Sequence, residues 1–285
     1  MITSFLLLSA SYWVDIDTKR ALVCDINQLN SCLQQLPEFS LSQLPRDTEQ
    51  LISIMGQRHA MVLPISQPKD VSGLILVNQQ FEPKSIVTFI GSQQLQLNLT
   101  RQQDLSLWHE QGHLENKQRQ SNLLPRKLSP YEHEWLADVY VLWRSVQETG
   151  TFELAWQQYH RRNLAAIDDP VNLSHWSSPY LLQLMTEFSI AQIQQFSQYS
   201  DFIKASYHQL TPVNPSQQIE LNNLVKFIFN NNKSNELPNY IYWRRSELYF
   251  LLKPTFTHLL GDEKTELLLD SLMLITPPDG KLNPS

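Results

Sequence analysis

The chain has few glycines and only two cysteines, and these shortages exclude several kinds of functional site. Its 285 residues include 7 glycines and 2 cysteines. No glycine-rich phosphate-binding loop is present, and the G-x-S-x-G turn of many serine hydrolases is also missing. The spacing of Cys24 and Cys32 matches no metal-binding motif. The sequence therefore does not indicate nucleotide-dependent, serine-hydrolase or cysteine-ligated metal chemistry.

Basic residues are also too few and too scattered for a nucleic-acid partner. There are 22 lysines and arginines against 28 acidic residues, which gives a formal net charge of −6. Proteins that bind nucleic acids concentrate lysine and arginine on one face, whereas the longest basic cluster here is Arg161-Arg162. No apolar run reaches the roughly 20 residues that a membrane helix needs. We expect neither a nucleic-acid partner nor a membrane span.

The start of the chain allows two interpretations. Phe5–Leu8 is apolar and the small residues Ser9-Ala10-Ser11 follow it, as in a signal peptide covering residues 1–11. The basic residues that normally begin a signal peptide are missing, and a first β-strand accounts for the segment equally well. An exported, periplasmic location is our expectation, with the cytoplasm as the alternative. The two cysteines would pair in the first case and remain buried thiols in the second.

The order of the predicted elements indicates an α+β fold. Apolar periodicity predicts helices over Ile26–Leu36 and around Arg46–Gly56. Four apolar stretches then predict an antiparallel meander; they are 60–65, 73–77, 85–90 and 94–100. From Arg101 onward the pattern is helical. We therefore expect an N-terminal region with the meander (1–100), two central helices (101–150) and a helical C-terminal subdomain (151–285).

Capping residues predict where the two central helices begin. Thr100 with Gln103 forms a T-x-x-Q capping box, which predicts a helix over Arg101–Lys117. Ser129 precedes Pro130 and is followed three positions later by Glu132, a second capping box. This helix should end at Gly150, because glycine adopts the backbone conformation that terminates helices.

The first of these helices carries the stretch HEQGH, which can hold a metal ion. His109 and His113 are four residues apart and therefore share one helical face, where two imidazole nitrogens can bind a common ion. Glu110 lies beside them, where it can act on a metal-bound water. Gly112 costs about 1 kcal/mol relative to alanine inside a helix, which indicates close packing at that point. The simpler interpretation is a polar helix face with two surface histidines.

The second helix supplies the carboxylates that a two-histidine site lacks. Glu134 and Asp138, in the stretch EWLAD, again lie four residues apart on one face. Glu134 is the predicted third metal ligand, and Asp138 is predicted to accept the outer N–H of a ligating imidazole and to orient it. The simpler interpretation is a pair of carboxylates favoured by the helix dipole.

HEQGH, twenty intervening residues and EWLAD resemble the H-E-x-x-H…E-x-x-x-D arrangement of gluzincin metallopeptidases. The resemblance covers residues 109–138. It implies a zincin-like α+β fold, in which a sheet precedes the active-site helix, helices follow it, and the edge strand of the sheet binds an extended substrate. It also implies a peptide or protein substrate. The chain departs from these motifs at Glu115, where they usually carry an apolar residue.

A site of this kind would bind one zinc ion through His109, His113 and Glu134, with a water in the remaining position. Glu110 would then be the general base. A hydrogen-bond donor must stabilise the oxyanion that develops, and His175 is the first candidate. The other candidates for this donor are Tyr159, His160 and Tyr131.

Two other functions compete with the zinc site. A di-iron carboxylate bundle would need a second E-x-x-H besides Glu110–His113, and the chain has none. A non-catalytic interaction or assembly protein with an accidental or decayed motif is the stronger alternative. Metal content separates the two, because an interaction protein should bind no zinc.

Overall fold

A computed structural model describes residues 11–45, 47–67, 69–78, 80, 82–211, 214–229, 241 and 243–274. The six strands are β1 Ser11–Ile16, β2 Lys19–Asp25, β3 Ala60–Pro64, β4 Val71–Val77, β5 Ser85–Ile90 and β6 Gln93–Asn98. The helices are α1 Leu29–Leu33, α2 Glu38–Leu41, α3 Thr48–Met55, α4 Gln102–Arg119, α5 Pro130–Thr149, α6 Glu153–Asp168, α7 Ser178–Glu187, α8 Ile190–Gln194, α9 Tyr199–Ser206, α10 Pro215–Phe229, α11 Arg244–Leu260 and α12 Asp262–Ser271. The α+β class is confirmed.

The described chain divides into two compact units. The first contains the described residues up to Pro83 together with Arg101–Lys127, and the second contains Lys84–Thr100 and the described residues from Leu128 onward. None of the described helices is long and apolar enough to cross a membrane.

The first unit is built on a four-stranded mixed sheet in the order β1-β2-β4-β3. β2 pairs with β1 in antiparallel and with β4 in parallel orientation, and β3 is antiparallel to β4. Because side chains alternate between the faces of a strand, Leu74 and Leu76 pack towards α1 and α3, while Ile75 and Val77 cluster with Leu114 of α4. The sheet is thus covered on both faces.

The predicted antiparallel meander is wrong. β4 pairs in parallel with β2, a strand that the sequence analysis did not identify, and β5 and β6 form a separate two-stranded sheet in the second unit. The reason lies in burial: every residue of β4 is buried, which suits a central strand, whereas β6 alternates between buried and exposed residues. The four stretches were correctly predicted as strands, and the antiparallel pairs β3–β4 and β5–β6 are those of a meander, but β4 and β5 lie in different sheets.

The second unit packs the β5–β6 hairpin against helices. Leu95 and Leu97 of β6 belong to the same apolar core as Trp176, Leu224 and Phe256. The opposite face of the hairpin exposes its side chains, as the alternation of β6 requires. This core holds α6, α10, α11 and α12 together with the short 3-10 helix Pro170–His175.

The helix ends agree with the predictions in part. The capping box of Ser129 with Glu132 and the left-handed Gly150 at the end of α5 are confirmed. The capping box predicted for Thr100 is wrong, because the hydroxyl and backbone N–H of Thr100 both donate to Oε1 of Gln157. The predicted helix over Ile26–Leu36 is shorter, since its first residues form a 3-10 turn and α1 ends at Leu33. α3 confirms the helix predicted around 46–56.

Cys24 and Cys32 form a disulfide between β2 and α1. Their Cα atoms are 5.8 Å apart, and both side chains are fully buried in the core of the first unit. In the chain-entropy model, closing such a short loop stabilises a fold by about 2–3 kcal/mol. The sequence left the pairing open, and the structure shows both cysteines in the oxidised state.

Candidate metal centre

α4 is held against the sheet of the first unit by a close contact at Gly73. Leu114 of α4 is completely buried, and a Cβ atom added to Gly73 of β4 would lie only 2.8 Å from Cδ2 of Leu114. A larger residue at position 73 would force the side chain of Leu114 to shift. Leu105 and Trp108 are also buried, whereas His109 and His113 are half-buried. The packing therefore leaves the two histidines accessible.

The two histidines direct their ring nitrogens towards each other. Nε2 of His109 lies 3.2 Å from Nε2 of His113, and the ring planes are inclined by 82°. Two nitrogens that each lie about 2.0–2.1 Å from one tetrahedral ion are separated by about 3.3–3.4 Å. A hydrogen bond between the two rings requires a similar distance. The separation of the two Nε2 atoms therefore suits both a shared metal ion and a direct hydrogen bond. A third ligand near both nitrogens favours the shared ion.

Glu134 completes a group with the composition of a metal site. One ligand atom each of His109, His113 and Glu134 lies within 4.8 Å of the other two. Within the described part of the chain, this is the only group of at least three histidine, cysteine or acidic side chains that meets this condition. All three side chains are half-buried. Two imidazoles and one carboxylate suit Zn²⁺ and neighbouring transition-metal ions.

Asp138, one turn after Glu134, lies at the centre of a buried polar network. Its carboxylate accepts hydrogen bonds from Nε of Arg162 at 2.7 Å, from Nε2 of Gln158 at 2.7 Å and from Oγ of Ser177. Asp138 has no solvent exposure. These bonds join α5 to α6 and to the start of α7, and so fix the helix that carries Glu134. The hydrogen bond predicted between Asp138 and a ligating imidazole stays a prediction.

His175 lies at the end of the 3-10 helix and faces Glu134. Its Nε2 atom is 3.4 Å from Oε2 of Glu134, and its Nδ1 atom is 2.8 Å from Oγ of Ser174. The side chain of His175 is 46% exposed, which leaves it open to a ligand. Of the four predicted oxyanion donors, His175 is therefore the one placed beside a candidate metal ligand.

The other three predicted donors form hydrogen bonds that hold the second unit together. The hydroxyl of Tyr159 donates to the carbonyl of Leu251 at 2.5 Å, and that of Tyr131 donates to the carbonyl of Trp176 at 2.9 Å. Burial raises the pKa of both phenols. His160 is buried, with Nδ1 3.0 Å from the hydroxyl of Thr255. These side chains stabilise the fold.

His160 should make the protein less stable in acid. Burial, and secondarily the nearby His258, lowers the pKa of His160 from 6.5 to about 3. The folded state therefore binds fewer protons than the unfolded state between these pH values. The free energy of unfolding should fall as the pH drops from about 6.5 towards 3, by up to about 1.4 kcal/mol per pH unit. Urea denaturation of wild type and His160→Gln across this range measures the effect; equal slopes in both proteins would contradict it.

Glu110 follows His109 on α4, and its side chain is half-buried. It shares α4 with both histidines. A group at this place can take a proton from a molecule bound near the histidines. Its role as general base stays a prediction.

Glu115, the departure from zincin motifs, anchors α4 to the first unit. Its carboxylate pairs with Arg119, one turn along α4, and accepts the backbone N–H of Asp17 at 3.1 Å. Both charged side chains are about 95% buried, since each is 5% exposed. Burial raises the pKa of Glu115, while Arg119 opposes this shift. The Glu–Arg spacing of four residues was visible in the sequence, but its burial was not.

No protein-family model, curated protein or solved structure matches this chain.

Proposed function

We propose that the chain is a zinc-dependent peptidase. The observation that carries the proposal is the convergence of His109, His113 and Glu134, whose ligand atoms lie within 4.8 Å of one another. The N₂O donor set is that of zinc hydrolases, which keep a further position for water or substrate. The three residues that the sequence pattern suggests as ligands are also close together, although the two histidines and Glu134 belong to different helices.

Zinc would supply an acidified water and would polarise the peptide carbonyl. Glu110 would accept one proton of the attacking water while the water oxygen forms a bond to the carbonyl carbon. The proton then passes from Glu110 to the nitrogen of the leaving amine when the C–N bond breaks. The products are a carboxylic acid and an amine, so that one water is consumed per bond.

His175 is proposed to stabilise the negative charge that develops on the carbonyl oxygen. Its Nε2 atom already faces the oxygen of Glu134 at 3.4 Å, and the side chain is accessible. Ser174 restrains the ring through Nδ1. A donor of this kind typically contributes about 2.7–4 kcal/mol of transition-state stabilisation.

The substrate strand is proposed to pair with the edge of β3. The backbone N–H of Asn78 donates to the carbonyl of His59, and that of Ile65 donates to Ser72. Hydrogen-bonded pairs alternate in an antiparallel ladder, so Ala60 and Val62 direct their backbone groups away from β4. In the described sheet β3 is an edge strand, and an extended peptide can add to it through these groups.

Metal content is the direct test of the proposal. Protein prepared without chelators should contain about one zinc per chain by elemental analysis, and a chelator should remove it. The double variant His109→Ala/His113→Ala should contain none, because both nitrogen ligands are gone. His133→Ala, which removes a half-buried histidine outside the group, is the matched control and should keep the zinc. Folded wild-type protein without zinc would favour the non-catalytic interaction protein.

We further propose that the protein is exported. The buried Cys24–Cys32 disulfide supports this location, because disulfides persist in oxidising compartments. The segment Phe5–Leu8 that suggested a signal peptide lies outside the described residues. Protein isolated from its native cells should begin near Tyr12 and should react with a thiol reagent only after reduction. An intact Met1 together with two reactive thiols in the denatured protein would place it in the cytosol.

A further inference from the structure

An open groove lies between the start of α1 and the first turns of α3. One wall is the 3-10 turn 26–28 with the first residues of α1, and the other wall is formed by α3. All residues that line the groove belong to the first unit. Its volume is about 520 Å³, within the roughly 300–1,000 Å³ that is usual for small-molecule sites. The groove is therefore large enough for a small organic ligand.

The groove and the metal-binding helix lie on opposite faces of the four-stranded sheet. Leu29 of α1 and Leu51 of α3 share an apolar core with Leu74 of β4. Leu114 of α4 packs instead with Ile75, whose side chain points to the other face. A ligand in the groove therefore does not contact the candidate metal ligands on α4.

The described residues that line the groove are all uncharged. Asp25 and Asp47 flank it in the sequence, but both carboxylates already accept hydrogen bonds as helix caps, from the backbone N–H groups of Asn27 and Gln50. The lining thus offers no counter-ion to a charged ligand, so that the cost of removing such a charge from water is not compensated. A neutral ligand suits this lining best.

Amides and hydroxyls give the groove several hydrogen-bonding groups. Nδ2 of Asn27 donates to Asp25 at 2.9 Å, and Oγ of Ser31 donates to the carbonyl of Gln28 at 2.9 Å. Oδ1 of Asn27 and Oγ of Ser31 can therefore accept from a ligand. The exposed side chains of Gln28 and Asn30 form no hydrogen bond within the described part of the chain, and each can donate and accept. This lining suits a ligand with several hydroxyl groups.

Ile52 adds apolar surface to the same groove. It is 45% exposed on α3, and the half-buried Ile26 lines the opposite wall. A sugar ring carries hydroxyl groups around its edge and C–H groups on its faces. Packing of the C–H groups against an aliphatic side chain removes apolar surface from water. The groove therefore matches both the polar and the apolar parts of a neutral sugar ring.

We propose that this groove binds a neutral saccharide. The sugar hydroxyls donate to Asn27 and Ser31 and exchange hydrogen bonds with the amides of Gln28 and Asn30, while a C–H face of the ring packs against Ile52. Because the groove is open to solvent, a trisaccharide should bind weakly, with a dissociation constant of about 1–10 mM. The site is separate from the proposed peptidase centre and does not depend on it.

NMR titration of the full, isotope-labelled chain tests the proposal. The probes are three uncharged trisaccharides: maltotriose, cellotriose and tri-N-acetylchitotriose. At least one of them should shift the backbone amide signals of residues 26–31 and 48–52 in a saturable way, equally with and without zinc. The anionic trisaccharide trigalacturonate and the uncharged peptide N-acetyl-triglycine amide should not shift these signals.

Two pairs of variants show whether the sugar occupies the groove. Gln28→Ala should weaken binding about 5- to 10-fold, as expected for the loss of a hydrogen bond. Gln34→Ala, which removes an exposed amide at the other end of α1 and outside the groove, should leave binding unchanged. Ile52→Ser should weaken binding about 5-fold through the loss of apolar contact. Ile54→Ser is its control, because Ile54 is 47% exposed on the same helix but does not line the groove.

The outcomes that would overturn the proposal are specific. It fails if none of the three uncharged trisaccharides shifts the signals of the groove, or if only trigalacturonate or the peptide does. Shifts that persist at the same affinity in Gln28→Ala and Ile52→Ser would also contradict it, since the sugar would then bind elsewhere. Zinc content tests the peptidase separately, so that either proposal can fail without the other.

Discussion

Glu110→Gln should bind zinc like the wild type and should hydrolyse peptides about 10²–10⁴-fold more slowly. Glutamine keeps the shape of the side chain and leaves His109, His113 and Glu134 in place, but it cannot accept the proton of the attacking water. Elemental analysis and peptide-cleavage assays on the same preparation measure the two properties. Full zinc content with undiminished hydrolysis would show that Glu110 is not the general base.

Glu134→Ala is the matched variant that separates ligand from base. It removes the carboxylate of the metal group, so zinc affinity and activity should fall together, in contrast to Glu110→Gln. If Glu134→Ala retains zinc as tightly as the wild type, a different group is the third ligand. The two variants therefore test the binding and the chemistry of the site independently.

Asp138→Ala should lower the free energy of unfolding by about 3–5 kcal/mol. The substitution leaves the buried guanidinium of Arg162 without its carboxylate, to which Nε and Nη2 of Arg162 donate at 2.7 and 3.1 Å. It also removes the acceptor of Gln158 and Ser177. Urea denaturation at neutral pH measures the loss as a lower midpoint with an unchanged slope.

Glu148→Ala is the control for Asp138→Ala on the same helix. It breaks the ion pair between Glu148 and Arg144, whose side chains are 43% and 41% exposed. An exposed pair of this spacing contributes only about 0.3–0.5 kcal/mol. Equal destabilisation by the two substitutions would contradict the structural role of Asp138. If Asp138 also orients a ligating imidazole, zinc affinity should fall about 10- to 100-fold in Asp138→Asn.

The helices of the candidate site could be predicted from the sequence because their signals are local. The capping box of Ser129 with Glu132 and the stop at Gly150 lie within a few residues of the ends of α5. The spacing of His109 and His113 also predicted a shared face, and the structure brings their Nε2 atoms to 3.2 Å. Helical hydrogen bonds join residues four apart, so that short stretches of sequence are enough.

The parallel pairing of β4 with β2 could not be predicted in the same way. β4 lies between β2 and β3 because it is apolar on both faces, and β2 is some 50 residues away in the chain. Apolar periodicity indicates a strand but does not identify its neighbour. For the same reason the sequence could not show that β5 and β6 would pack with the helical unit.

The sequence by itself determined four of the six described strands, the two helices of the candidate site and which three side chains could bind a metal. Only the tertiary structure showed that a ligand atom of Glu134 lies near those of the two histidines. It also showed that His175 is accessible, whereas Tyr159 and His160 are buried. Finally, it showed that Glu115 and Arg119 form an ion pair inside the protein. The physical reason is that backbone periodicity depends on neighbouring residues, whereas burial and the meeting of side chains depend on packing between residues far apart in the chain.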